Sequence, residues 1–157
     1  MMREGKYLAD RLREVILNGR WIANTNFRDQ LNDLDWSLAI KKTESQNSIA
    51  DLSQHIHYYI SGILNAFVEG KLNIRDKYSF SFPPIKSQVE WNNFKNKFWR
   101  DTEDLCKIIE DLSFQDLEND FVDKKYGSIK RNIEGMTEHA YYHLGQIVLI
   151  KKHWVRN

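Results

Sequence analysis

The chain has 157 residues, with 23 basic and 22 acidic side chains and a formal net charge of +1. This length suits one domain, and we expect a single domain over residues 1–157. The balanced charge argues against a nucleic-acid-binding protein, which needs clustered lysine and arginine. A single cysteine excludes an internal disulfide framework and an all-cysteine zinc site. Any bound metal therefore has to be held by carboxylates or by the five histidines.

The sequence shows no feature that directs a protein into or across a membrane. No apolar stretch approaches the roughly 18 residues that a membrane span needs. Residues 1–15 carry charges throughout, which is not typical of a secretory signal. We therefore expect a cytoplasmic protein with no membrane partner.

Helical periodicity dominates the chain, because glycine and proline are rare. The first predicted helix runs from about Tyr7 to Asn18 and stops at Gly19. We expect an irregular stretch over residues 20–33. Asp35 then caps a short predicted helix.

The second long helix is predicted to begin at Ser48, which resembles a capping box together with Asp51, and to end at Gly70. Residues 71–86 contain both prolines of the chain. We interpret them as an extended crossover loop with room for one short strand.

Two further long helices complete the pattern. Ser87 and Glu90 predict a capping box for the third, which reaches about Leu112. A polar segment follows, and the last helix runs from Ser128 to about Trp154. Four long amphipathic helices, with one long crossover between the second and the third, predict an all-α four-helix bundle.

The histidines offer a candidate metal site. His139 and His143 lie four residues apart on the last helix, so their side chains share one face. On the second long helix, His55 lies nearer the apolar face than His57, so His55 is the better third ligand and His57 belongs at the rim or surface. Three neutral imidazoles describe a catalytic type of site for Zn, Ni or Fe. The plainer alternative is that each imidazole hydrogen-bonds to a neighbour. His153, in the final turn, is interpreted as structural.

The residue after the first of these paired histidines bears on the chemistry. It is Ala140, where a helical zinc protease has a glutamate as its general base. Glu134 and Glu138 of the same helix are expected to point away from the ligand face, so the last helix supplies no carboxylate base to such a site. The metal itself has to activate the nucleophile, and a thiol suits that role because a metal-bound thiol ionises.

Two other polar residues have more than one interpretation. Gln146 follows His143 by three positions, so it is either a hydrogen-bonding partner behind that ligand or a polar residue at the rim of the bundle. Cys106 lies among apolar residues and is predicted to be a buried small hydrophobe rather than a nucleophile.

The segments 52–55 (LSQH) and 139–146 (HAYYHLGQ) together resemble the DinB-like superfamily of metal-binding four-helix bundles. That superfamily includes bacillithiol transferases and mycothiol-dependent maleylpyruvate isomerases, and the resemblance covers essentially the whole chain. More narrowly, the sequence resembles an uncharacterised subgroup. The resemblance implies that His55, His139 and His143 hold a divalent metal. It also implies a homodimer and, as the reaction partners, a small-molecule thiol and an electrophilic substrate.

Three functions remain open at this point. The leading hypothesis is a metal-dependent enzyme of the thiol S-transferase type. A second is a metal-dependent hydrolase acting on an ester or amide, which needs a base from outside the last helix. The third is a metal-binding stress-response protein without catalytic activity.

Overall fold

A computed structural model describes residues 3–42, 44 and 47–155. Within this part of the chain the fold is all-helical, with no strand and with an isolated β-bridge between Asp120 and Ser128. Seven α-helices are present there: α1 (Glu4–Arg13), α2 (Phe27–Leu31), α3 (Trp36–Ala39), α4 (Ile49–Glu69), α5 (Gln88–Asp111), α6 (Phe114–Glu118) and α7 (Ile129–Val155). A π-helical turn, Glu14–Asn18, continues α1, and 3₁₀ turns occupy Asp76–Tyr78 and Lys124–Tyr126.

The helix boundaries follow the capping residues. Ser48 and Asp51 form the complete predicted capping box of α4, and Gly70 ends this helix in the left-handed conformation, at φ 73°. Ser87 caps α5 by accepting from the Glu90 backbone N–H at 3.2 Å. The Glu90 carboxylate, however, accepts from the Lys86 backbone at 2.7 Å, so the second predicted box is only half formed.

Two short helices lie where the sequence indicated irregular or polar structure. The predicted irregular stretch 20–33 contains α2, whose cap is Asn26, accepting from the Asp29 backbone N–H at 2.9 Å. The polar segment after α5 contains α6, which begins with a capping box of Ser113 and Asp116. Each of these helices has only five residues, too few to show a helical period in the sequence.

The crossover segment, residues 71–87, joins α4 to α5. Its one regular element is the 3₁₀ turn, so the short strand that the alternating sequence allowed is not formed. Instead, its backbone packs along α4: the Tyr58 hydroxyl accepts from the Arg75 N–H and donates to the Arg75 carbonyl, both at 3.0 Å. The crossover thereby becomes a wall beside the first half of α4.

The four long helices pack pairwise around one buried apolar cluster. α1 and α4 each contact both α5 and α7. α1 runs parallel to α7, as shown by the ion pair between Glu4 at the start of α1 and Lys130 at the start of α7. α4 runs antiparallel to α7, as shown by the contact of Phe67, near the end of α4, with Phe121, which precedes α7. This direction brings the first half of α4 against the middle of α7. Among the described helices, none has the length and apolar character needed to cross a membrane.

At Gly5 the backbone of α1 lies close to the backbone at the end of α5. A Cβ atom at this position would lie 2.4 Å from the carbonyl oxygen of Ile109 and 2.8 Å from that of Leu112. Both atoms belong to the backbone and cannot rotate away. Gly135, on α7, has no atom within 4 Å of the corresponding position. The first glycine is therefore required by packing and the second is not.

We expect Gly5→Ala to lower the free energy of unfolding by about 1–3 kcal/mol, because α1 has to shift away from α5. Gly135→Ala is the matched control, and it should raise the free energy of unfolding by up to about 1 kcal/mol through helix propensity. Urea denaturation followed by circular dichroism measures both. A Gly5→Ala protein as stable as the wild type would contradict this account of the α1–α5 contact.

Candidate metal centre

Three histidines meet where the first half of α4 crosses the middle of α7. His55 comes from α4, and His139 and His143 come from successive turns of α7. Nε2 of His139 lies 3.3 Å from Nε2 of His55 and 2.9 Å from Nε2 of His143. His55 and His143 are 6% and 7% exposed, and His139 is half-buried. The structure thus brings together the three residues singled out in the sequence.

These separations fit a shared ion. Two ligand nitrogens at a metal–nitrogen distance of about 2.1 Å, at octahedral or tetrahedral angles, lie about 3.0–3.4 Å apart. The two Nε2 separations fall within about 0.1 Å of that range. One ligand atom from each of the three residues lies within 4.8 Å of the other two. The spacing of the three side chains is therefore compatible with a single divalent ion.

Hydrogen bonds behind the cluster fix the tautomers of two of the rings. Nδ1 of His55 donates to the backbone carbonyl of Ser79 at 3.1 Å. Nδ1 of His143 donates to Oε1 of Gln146 at 2.6 Å, as one interpretation of the sequence predicted. With the proton on Nδ1, each Nε2 presents a lone pair to the centre. The donor set is therefore prepared for a cation.

The electrostatics of the cluster keep the imidazoles neutral. Burial lowers the pKa of His139 to about 4, with a further contribution from His143 and His55. Burial also lowers the pKa of His55 and that of His143. Neutral imidazole is the form that binds a metal, so the site is ready for an ion at neutral pH.

Aromatic side chains enclose the α4 side of the cluster. The Phe80 ring stacks on the His55 ring, with centroids 4.1 Å apart and an interplanar angle of 11°. The Tyr59 ring meets His55 and His139 edge to face. Its hydroxyl donates to Asp76 Oδ1 at 3.0 Å. The crossover thus supplies a stacking ring and the carboxylate bonded to Tyr59.

The other two histidines lie outside the cluster. His57, predicted at the rim or surface, turns instead towards α5, where Nε2 donates to Asp101 Oδ2 at 2.7 Å and the side chain is 13% exposed. The prediction missed this because the partner carboxylate is distant in sequence. His153 lies exposed in the last turn of α7, in contact with the Trp154 ring.

Cys106 takes no part in the centre. It is fully buried in the core, and its thiol contacts the Ala9 carbonyl at 3.6 Å. Burial raises the pKa of this thiol to about 12, so it is not a thiolate at neutral pH. The prediction of a buried packing residue is confirmed.

Some contacts of the centre were not identified from the sequence. The Ser79 carbonyl is a backbone atom, so its role has no signature in residue type. Phe80 belongs to an alternating segment that suggested a strand rather than a wall of the site. Tyr59 did carry a signal, because it follows His55 by one helical turn.

We expect His55→Ala, His139→Ala and His143→Ala each to lose metal, because two imidazoles hold a divalent ion far more weakly than three. Elemental analysis of untagged protein, with calorimetric titration of added zinc, measures this. His153→Ala is the matched control and should retain wild-type metal content. Gln146→Leu should weaken zinc binding about 10–100-fold, because His143 loses its orienting partner. Unchanged metal content in the three cluster variants would exclude the site.

We also expect the metal-free protein to lose stability as the pH falls from 7 to 4.5. The imidazole pKa values are lowered in the folded state, whereas in the unfolded chain they are about 6.5. The unfolded state therefore takes up protons first, over a window that extends down to about pH 4 for His139. Urea denaturation across this range should show a weaker dependence on pH in His139→Gln than in the wild type. Equal slopes in the two proteins would contradict the lowered pKa.

Within the described residues, the group able to hold a metal ion consists of His55, His139 and His143. Comparison of the chain with protein-family models, with curated proteins and with solved structures found no match. The assignment of a candidate metal centre therefore stands on the geometry of these three side chains.

Proposed function

We propose that this chain is a divalent-metal-binding protein of the DinB-like type. In this proposal α1, α4, α5 and α7 form a four-helix bundle, and the long crossover joins the second of these helices to the third. His55, His139 and His143 hold the ion. The observation that carries the proposal is the convergence of their Nε2 atoms, supported by the Nδ1 hydrogen bonds that leave two of those atoms unprotonated.

The proposed activity is that of a metal-dependent thiol S-transferase. A divalent ion in this site, whether Zn, Ni or Fe, supplies the positive charge that ionises a bound small-molecule thiol at neutral pH. The protein's part is to hold the ion with three neutral imidazoles. Because the candidate ligand group includes no carboxylate, the protein ligands do not neutralise the ion's charge. Such a site favours an anionic sulfur, whose target is an electrophilic small molecule.

The residues around the ligands fit this proposal. Phe80 covers one face of His55. Burial raises the pKa of Tyr59, which therefore keeps its proton at neutral pH. Since the chain's own cysteine is buried and protonated, the nucleophilic sulfur has to come from a cosubstrate.

The position of Asp76 favours a second candidate, a metal-dependent hydrolase. Its carboxylate accepts from the hydroxyl of Tyr59, whose ring contacts two of the three histidines. A hydrolase needs a base from outside α7, and Asp76 is a carboxylate on the crossover that meets this need. If neither activity is found, the remaining hypothesis is a metal-binding stress-response protein without catalytic activity.

The proposal includes a homodimer. α7 carries two large apolar side chains on its outer side, Tyr142 and Leu149, which are 66% and 71% exposed. Covering such side chains with a second copy removes apolar surface from water.

We expect metal-loaded protein to consume low-molecular-weight thiols in the presence of a panel of small electrophiles. His143→Ala should lower this rate at least 100-fold because the centre is lost, whereas His153→Ala should match the wild type. The measurement is thiol depletion, with hydrolysis of simple esters followed in parallel. Asp76→Asn should leave thiol transfer within about threefold of the wild type, and would reduce ester hydrolysis if the second candidate is right. Equal rates in wild type and His143→Ala would contradict a metal-dependent enzyme of either kind.

A further inference from the structure

The opposite side of α4 from the metal centre carries a cavity of its own. His57 follows His55 by two residues, so its side chain leaves the helix on the side that faces α5. A cavity of about 300 Å³ opens there between α4, α5 and the crossover. None of the three metal-centre histidines lines it, whereas His57 does. This cavity is therefore distinct from the candidate metal centre.

A buried carboxylate orients the His57 ring. Asp101, 9% exposed, accepts from His57 Nε2 at 2.7 Å and from Lys97 Nζ at 2.5 Å, with Arg100 Nε at 3.6 Å. Burial disfavours its charge, but the hydrogen bonds from Lys97 and His57 outweigh that effect and lower the pKa of this carboxyl. A carboxylate in this position holds the imidazole proton on Nε2.

The fixed tautomer leaves His57 with a free acceptor. With the proton on Nε2, Nδ1 carries a lone pair, and it makes no hydrogen bond to any residue in the described part of the chain. The buried side-chain nitrogen and oxygen atoms without a partner in this part of the chain do not include Nδ1 of His57. This atom is therefore not fully enclosed by the protein and is accessible to solvent. Because His57 lines the cavity, we expect this acceptor to be within reach of a molecule that enters it.

Part of the cavity wall is apolar and aromatic, and it is already in place. Phe82 of the crossover and Phe94 of α5 line it together with Ile74. The Ile74 side chain packs directly against the backbone of Gly62: a Cβ atom added to Gly62 would lie 2.4 Å from Cδ1 of Ile74. The neighbouring backbone is held by the two hydrogen bonds of the Tyr58 hydroxyl. A ligand therefore finds a formed pocket rather than one that it has to open.

We propose that this cavity is a second binding site, for a small neutral aromatic molecule that carries a hydrogen-bond donor. The donor binds Nδ1 of His57, and the ring packs against Phe82 and Phe94. A neutral ligand is favoured because Lys97, the charged side chain that lines the cavity, already pairs with Asp101 behind it. The volume lies at the lower end of the range for small-molecule sites, which suits a single ring. The proposal does not depend on the activity of the metal centre.

Phenol and toluene are the probes, because they are nearly isosteric and only phenol has a donor. We expect phenol, titrated into the full-length protein, to shift the backbone amide NMR signals of residues 57–65 and 94–97. It should bind about tenfold more tightly than toluene, through the added hydrogen bond. His57→Phe should abolish that difference, whereas the matched control His153→Phe should retain it.

A second variant tests the cavity without disturbing the buried carboxylate. Asn65 is an exposed lining residue, and Asn65→Trp should obstruct the cavity and weaken both probes at least tenfold with metal content unchanged. Three results would overturn the proposal: equal affinity of the wild type for phenol and toluene, unchanged phenol binding in Asn65→Trp, or shifts centred on residues 139–146.

Discussion

Three imidazole Nε2 atoms converge where α4 crosses α7, and the candidate site depends on this one constraint. The lone pairs on Nε2 of His55 and His143 are directed at Nε2 of His139, and either a proton on that nitrogen or a cation between the rings relieves their repulsion. The supporting contacts reinforce the convergence rather than relieve it. Ser79 and Gln146 hold the protons of His55 and His143 on the outer nitrogens, and burial keeps the rings neutral. Three imidazoles arranged in this way could hold a metal ion.

α4 packs in the core of the protein, yet it carries polar side chains on two sides. His55 faces α7 and His57 faces α5, while the apolar residues Leu52, Ile56 and Ile60 are buried in the core. Each polar group is compensated locally, by the Ser79 carbonyl on one side and by Asp101 on the other. Each of the two histidine rings therefore has one hydrogen-bonded nitrogen, which lowers the cost of keeping it next to the apolar core.

How much could be predicted from the sequence depended on the range of the interaction. The capping box of α4 and its end at Gly70 are local, and both were predicted. Helical periodicity also placed His55 near the apolar face of its helix, and His139 and His143 at the apolar face of theirs. Contacts between distant residues were not predictable: Asp101 lies 44 positions from His57, and Ser79 acts through its backbone. The five-residue helices α2 and α6 were not predicted, because a helical period becomes visible in a sequence only over several turns.

The bond from the Ser79 carbonyl to His55 has a consequence for variation in the chain. Because the acceptor is a backbone atom, a side-chain replacement at position 79 leaves it in place. A change in the length of the crossover does not: one residue inserted or removed between Gly70 and Ser79 moves the carbonyl by a few ångströms along α4. The number of residues in this connection, more than their identity, is therefore what the orientation of His55 depends on.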